Sequence, residues 1–163
     1  MISGLISAEE CAGCRQCCKF AYTDLMLTPL ITPELAEEIR GRLPEQRFIS
    51  REGSFLLRLE PEEDDPGTYY CTLLDRKRGC IMGSRKPFEC AIWPFAVTEK
   101  EGELAIALSP ECPIAAKKPE VQIKQTAEQI ADRAFEEAKK YPELIKPCPP
   151  GAKVIVEEHA ERS

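Results

Sequence analysis

The stretch Cys11-Ala12-Gly13-Cys14-Arg15-Gln16-Cys17-Cys18 decides how the rest of this 163-residue chain is read. Two thiolates separated by two residues can both turn toward one centre. The intervening backbone then wraps round it and aims its N–H groups at the sulfurs. Two such spacings follow one another here, so three thiolates fall on one side of a centre and a fourth ligand must come from elsewhere. A four-cysteine zinc site and a four-cysteine iron–sulfur cluster both fit this spacing. Cys17 and Cys18 are adjacent, and neighbouring side chains diverge. One serves the first centre, while the other serves a second centre or packs as a small apolar residue.

Outward from this run the chain carries Cys71, Cys80, Cys90, Cys112 and Cys148, nine cysteines in all. Nine is odd, so complete internal disulfide pairing is excluded. The first ten residues lack the basic start and long apolar core of a secretory signal, and no apolar run reaches the roughly 20 residues of a membrane helix. A cytoplasmic location is therefore expected. In reducing cytosol, dense cysteine reads as metal binding and not as disulfide stapling. Cys71 and Cys80 flank the polar segment Asp75-Arg76-Lys77-Arg78-Gly79, which brings their sulfurs together across a hairpin. Cys90 lies between Pro87 and Pro94, where the chain is stiff. Cys112-Pro113 and Cys148-Pro149 are the Cys-Pro pairs that follow last ligands in ferredoxin-type runs.

The remaining composition narrows the function classes. Hydrophobic residues make up 43% and charged residues 31%, a globular balance that excludes disorder. The net charge of -6 argues against nucleic acid or an anionic membrane surface as partner. The single histidine, His159, sits in a charged tail, so neither a histidine-rich metal site nor a catalytic triad is expected. The glycines form no phosphate-binding loop.

The elements predict a small, single-domain α+β fold organised by metal, with short antiparallel strands and a long C-terminal amphipathic helix. Thr32-Pro33-Glu34 starts a helix striped by Leu35, Ile39 and Leu43 and stopped by Pro44. Residues 20–27, 54–59 and 69–74 read as extended segments, and 86–95 as one or two helical turns. Glu99-Lys100-Glu101-Gly102 turns a hairpin between 93–97 and 104–108. Ile123, Ala127, Ile130, Ala134, Ala138 and Tyr141 stripe a helix over about 119–141, with Pro119 in its first turn. The helical C-terminal extension covers about 119–146. Lys153 to Val156 reads as a short strand, and the tail from Glu157 as mobile.

Cys11-x2-Cys14-x2-Cys17-Cys18, then Cys71, Cys80 and Lys86-Pro87-x2-Cys90-x3-Pro94-Phe95, resembles the CxxCxxCC (YkgJ-type) cysteine cluster family of bacteria and archaea. The resemblance spans roughly residues 11–113. It implies a zinc- or iron-chelating domain with eight ligands: Cys11, Cys14, Cys17, Cys18, Cys71, Cys80, Cys90 and Cys112. The chain departs from the family pattern at Lys86 and Ala91, where the family carries arginine, and Lys is a poor substitute for the planar Arg fork.

An all-cysteine ligand set without histidine suits soft, thiolate-preferring centres. The expected cofactor is an iron–sulfur cluster, of the 4Fe-4S type, in one or two centres. The expected role is redox, cluster-carrying or accessory, with a redox or client protein as partner. Two alternatives are a structural zinc module for protein interaction, and a cluster-dependent enzyme with an open iron site beside Lys86, Arg85, Trp93 or Tyr70.

Overall fold

A computed structural model of the chain describes residues 4–159, and its elements are short where the cysteines are dense and long where they are not. The fold is α+β, and every pairing between its strands is antiparallel. The chain divides into two compact units. One spans Ala8–Cys90, and the other joins the residues before Ala8 to those from Ala91 onward.

The Ala8–Cys90 unit is built from small pieces. Helix α1 (Ala8–Cys14) runs into a 3-10 turn at Gln16–Cys18, with Arg15 between them in the left-handed conformation at φ 58°. Strand β1 (Lys19–Ala21) follows, and then a second 3-10 segment, Tyr22–Leu27. Residues 20–27 are thus extended only at their start. The apolar residues of this stretch do not alternate: Leu25 packs on the core while Tyr22, Met26 and Leu27 face solvent, a pattern that a period-two strand cannot deliver. Helix α2 (Pro33–Arg42) begins as its residues dictate, with the Thr32 hydroxyl accepting the Leu35 N–H at 3.2 Å and Pro33 in the first turn.

Strands β2 (Phe48–Arg51) and β3 (Ser54–Leu57) form a hairpin turned by Glu52-Gly53, with Gly53 at φ 78°. Strand β4 (Thr68–Tyr70) pairs with β1. Strands β5 (Leu74–Asp75) and β6 (Gly79–Cys80) pair across the basic turn. No strand of this unit exceeds four residues, and its sheets are three separate two-stranded ribbons. Such ribbons are marginal alone. Their shared support is one core: Ile31, Ala36, Ile39, Leu57, Leu59, Leu73 and Met82, with Cys71 and Cys80 packed against it.

The boundary between the units falls inside helix α3 (Phe88–Ile92). The second unit holds a three-stranded sheet in the order β7-β8-β9, from β7 (Phe95–Lys100), β8 (Glu103–Leu108) and β9 (Lys153–Glu157). Glu101 and Gly102, both at positive φ, make the tight turn between β7 and β8. Helix α4 (Glu120–Lys140) buries Ile123, Ala127, Ile130, Ala134, Phe135 and Ala138. Pro119 stands one residue before the first helical turn, as the N-cap residue, and Tyr141 caps the other end. The tail from Glu157 is held: Glu157 pairs with Ala105, its carboxylate meets the Lys100 ammonium, and the Glu158 N–H donates to the Leu104 carbonyl at 2.7 Å. Strand pairing and one ion pair, which sequence periodicity does not encode, supply this anchoring. The last four residues lie outside the described part.

Candidate metal centre

Seven of the nine cysteines fall in the unit of small pieces. The paired segments there bring four of them into one neighbourhood. Cys18 precedes β1 and Cys71 follows β4, and the Cys71 N–H donates to the Cys18 carbonyl at 2.8 Å, one step beyond the Lys19–Tyr70 pair. The Cys71 carbonyl then accepts the Leu74 N–H at 3.0 Å, which turns the chain into β5. Cys80 is opposite Leu74 on β6. The polar turn thus does form a hairpin, with Cys71 three residues before the partner of Cys80. Asp75 sets this turn: its carboxylate accepts the N–H groups of Lys77 and Arg78, both at 2.8 Å, and is held below the usual carboxylate range by them.

The electrostatics define the group. Burial pushes the Cys90 thiol well up, and Cys71, Cys17, Glu89 and Cys80 add to the shift through their charges. Burial also pushes Cys71 up to about 12, with further contributions from Cys80 and Cys17. The Cys17 thiol is raised by its hydrogen bond with Cys18 and then by burial. Cys80 is raised by burial. Four thiols from four separate segments, Cys17, Cys71, Cys80 and Cys90, thus share one field, and Cys18 joins through its contact with Cys17.

Opposing influences favour the thiolate form. The backbone N–H of Leu73 is directed at the Cys71 sulfur, and those of Met82 and Gly83 at the Cys80 sulfur. Lys86 acts on both Cys17 and Cys80, and Arg42 acts on Cys80. Amide donors at sulfur and nearby cations are what a thiolate-bound metal needs to offset its negative charge. By donor chemistry, this constellation fits a soft metal centre. Among the described residues, however, no three His, Cys, Asp or Glu side chains converge so as to hold a metal ion. The thiols are neighbours in field without being gathered round a point.

Cys11 and Cys14 lie on α1, three residues apart and half-buried. Helix α1 packs along β6, where Gly79, at φ +86°, faces Ala12 and the Ala8 carbonyl. Arg15 ties the end of α1 to the basic turn: its guanidinium donates to the carbonyls of Ala12 at 3.0 Å and Arg76 at 2.8 Å. Cys112 belongs to the other unit. There it is buried at 4% exposure, and its sulfur accepts the Ala115 N–H at 3.5 Å. Cys148 is exposed in that same unit.

Three participants were not foreseen from the sequence. Arg42, in the last turn of α2, donates to the Ile81 carbonyl at 2.6 Å beside Cys80. Glu89 accepts the Leu30 N–H at 2.6 Å and bears on Cys90. Arg15 pins α1. Basic residues in a helix's last turn are a usual dipole complement, so nothing in the sequence singled Arg42 out. Arg85, expected near an open site, pairs with Glu38, and Tyr70 lies under the Arg76 guanidinium at 5.0 Å. Trp93 falls in the other unit, and His159 is exposed there with its Nδ1 3.8 Å from Glu103.

Among the described residues, no helix is long and apolar enough to cross a membrane. No family model, curated protein or solved structure matches this chain.

Proposed function

We propose that this protein carries an iron–sulfur cluster and serves in a redox or cluster-carrying role. One observation carries the reading: seven of the nine cysteines lie in one unit, where main-chain pairing ties Cys71 to Cys18 and sets Cys80 opposite Leu74, and Cys17, Cys71, Cys80 and Cys90 come from four separate segments of it. These four would hold the cluster. Cys18, Cys11 and Cys14 are the nearest thiols in sequence for a second centre. A bound cluster would supply a one-electron couple or a transferable iron–sulfur unit. The chain's own residues would set its surroundings: Lys86 and Arg42 offset negative charge, and the amides of Leu73, Met82 and Gly83 donate to sulfur.

An all-cysteine donor set without histidine suits soft, thiolate-preferring centres, which supports a cluster first and zinc second. The resemblance to the cysteine cluster family supports a metal centre of either kind.

The test is anaerobic purification followed by iron, sulfide and zinc analysis and a visible spectrum. Stoichiometric iron and sulfide with a brown absorption lost on oxidation is the expected result. A colourless protein with stoichiometric zinc would replace the cluster by a structural zinc module. Protein holding neither metal would overturn the reading.

A further inference from the structure

The 3-10 segment Tyr22–Leu27 exposes three large apolar side chains within six residues. Tyr22 is 72% exposed, Leu27 58% and Met26 50%, and these are the three most exposed large apolar residues of the Ala8–Cys90 unit. Their exposure is not poor packing, because Leu25 of the same segment is packed on the core and the Leu25 carbonyl accepts the Thr28 hydroxyl at 3.1 Å. The segment is anchored by one side chain and presents three others. Unpaired large apolar residues at one place mark interaction surfaces, and Tyr and Met are favoured there.

The neighbourhood carries a sign. The Tyr22 ring lies 6.4 Å from that of Tyr69 on β4. On its other side, Tyr69 bridges to Pro61, and the Glu62 N–H donates to the Thr68 carbonyl at 2.8 Å. The loop Glu60-Pro61-Glu62-Glu63-Asp64-Asp65 therefore flanks the same strand that Tyr22 covers. Of its five carboxylates, Glu62 is paired with Arg76. Glu60, Glu63, Asp64 and Asp65 have no cationic partner among the described residues, and all four are exposed. An apolar centre bordered by uncompensated negative charge calls for a partner of opposite pattern.

We propose that Tyr22, Met26 and Leu27, with the acidic loop 60–65, form a docking surface for a basic protein segment that presents apolar side chains flanked by Lys or Arg. The surface is one three-residue strand from Cys18, roughly 10 Å of extended chain, so a docked partner would sit beside the thiols. What the partner receives there rests on the proposed cluster. The docking itself does not.

The experiment uses the full chain and a defined probe, a synthetic amphipathic peptide of alternating Lys and Leu, with the same peptide carrying Glu for Lys as control. Affinity is measured at about 20 mM and about 300 mM salt, and contacts are mapped by amide chemical shifts. Metal content is measured on the same samples. The expected result is binding of the Lys peptide alone, with shifts confined to residues 21–28 and 60–70. The triple variant Tyr22→Ser/Met26→Ser/Leu27→Ser should weaken it at least about tenfold. Glu60→Lys/Glu63→Lys/Asp64→Lys should weaken it and flatten its salt dependence. The surface variants leave the core untouched, and retained shifts elsewhere verify their fold. Absence of binding, equal binding of the Glu peptide, or shifts elsewhere would overturn the proposal. So would self-association of the wild-type chain that the triple serine variant abolishes, since the patch would then belong to a second copy. Protein without metal that binds the peptide as described leaves the docking surface standing and removes the cluster.

Discussion

The two units solve the problem of stability differently. From Ala91 onward, a 21-residue helix lays a stripe of Ile, Ala and Phe over a three-stranded sheet. Burial of that stripe is the ordinary hydrophobic route to a fold. Between Ala8 and Cys90, by contrast, strands of two to four residues form isolated ribbons, and four thiols crowd where charge is disfavoured. A small apolar core supports the ribbons, and Cys71 and Cys80 pack against it. The difference teaches that regular structure and cysteine content trade places along this chain: secondary structure is thinnest where thiols are densest.

The sharpest way to break this contrast is Cys17→Ser/Cys90→Ser. Nearly all bound metal should be lost, and amide protection should fall in β1, β4, β5 and β6 while that of α4 and β7–β9 persists. Hydrogen exchange with metal analysis reads both, and equal loss in the two units would end the distinction. Ile130→Ala should do the reverse, costing about 2–5 kcal/mol of the helix-and-sheet unit through a core cavity. Denaturant unfolding measures it, and metal content should not change.

The thiols also make the contrast pH-dependent. Their folded-state values are raised, Cys71 to about 12 and Cys17, Cys80 and Cys90 upward. Stability from holding them protonated is therefore full below the unfolded thiol value near 9. It is lost as pH climbs from there through the folded values. Metal-free protein should accordingly lose cooperative melting from about pH 9 upward, first in the Ala8–Cys90 unit. Metal uptake should release protons and tighten with rising pH, read by calorimetry in buffers of different ionisation heat. The smallest effect is expected at Thr32→Ala, which removes the α2 cap and costs about 1 kcal/mol. An effect confined to the first unit would sharpen the comparison once more.

The legibility of the sequence follows the same division. Helix α4 and the β7–β8 hairpin are readable because their signals are local: a repeat of three and four residues, and a Glu-Gly turn. The start of α2 is equally plain from Thr32-Pro33. Residues 20–27 mislead, since their composition suits a strand and only tertiary contacts reveal that Phe20 and Leu25 are the ones packed on the core. The β2–β3 hairpin went unread because Phe48–Arg51 has no alternation. At the thiols, the hairpin between Cys71 and Cys80 is legible from its polar turn. The unit to which Cys112 belongs is not, because sequence spacing says nothing about which unit a cysteine joins. Arg42 and Glu89 reach their places through long-range packing that no motif announces.

The amides of Leu73, Met82 and Gly83 that point at the Cys71 and Cys80 sulfurs carry one more consequence. A main-chain donor survives every replacement of its side chain except proline. The polar setting of these two sulfurs is therefore immune to drift at positions 73, 82 and 83, and relatives of this chain could keep it while sharing no residue there. The trace such a setting leaves across diverged sequences is a prohibition: three positions where proline does not appear.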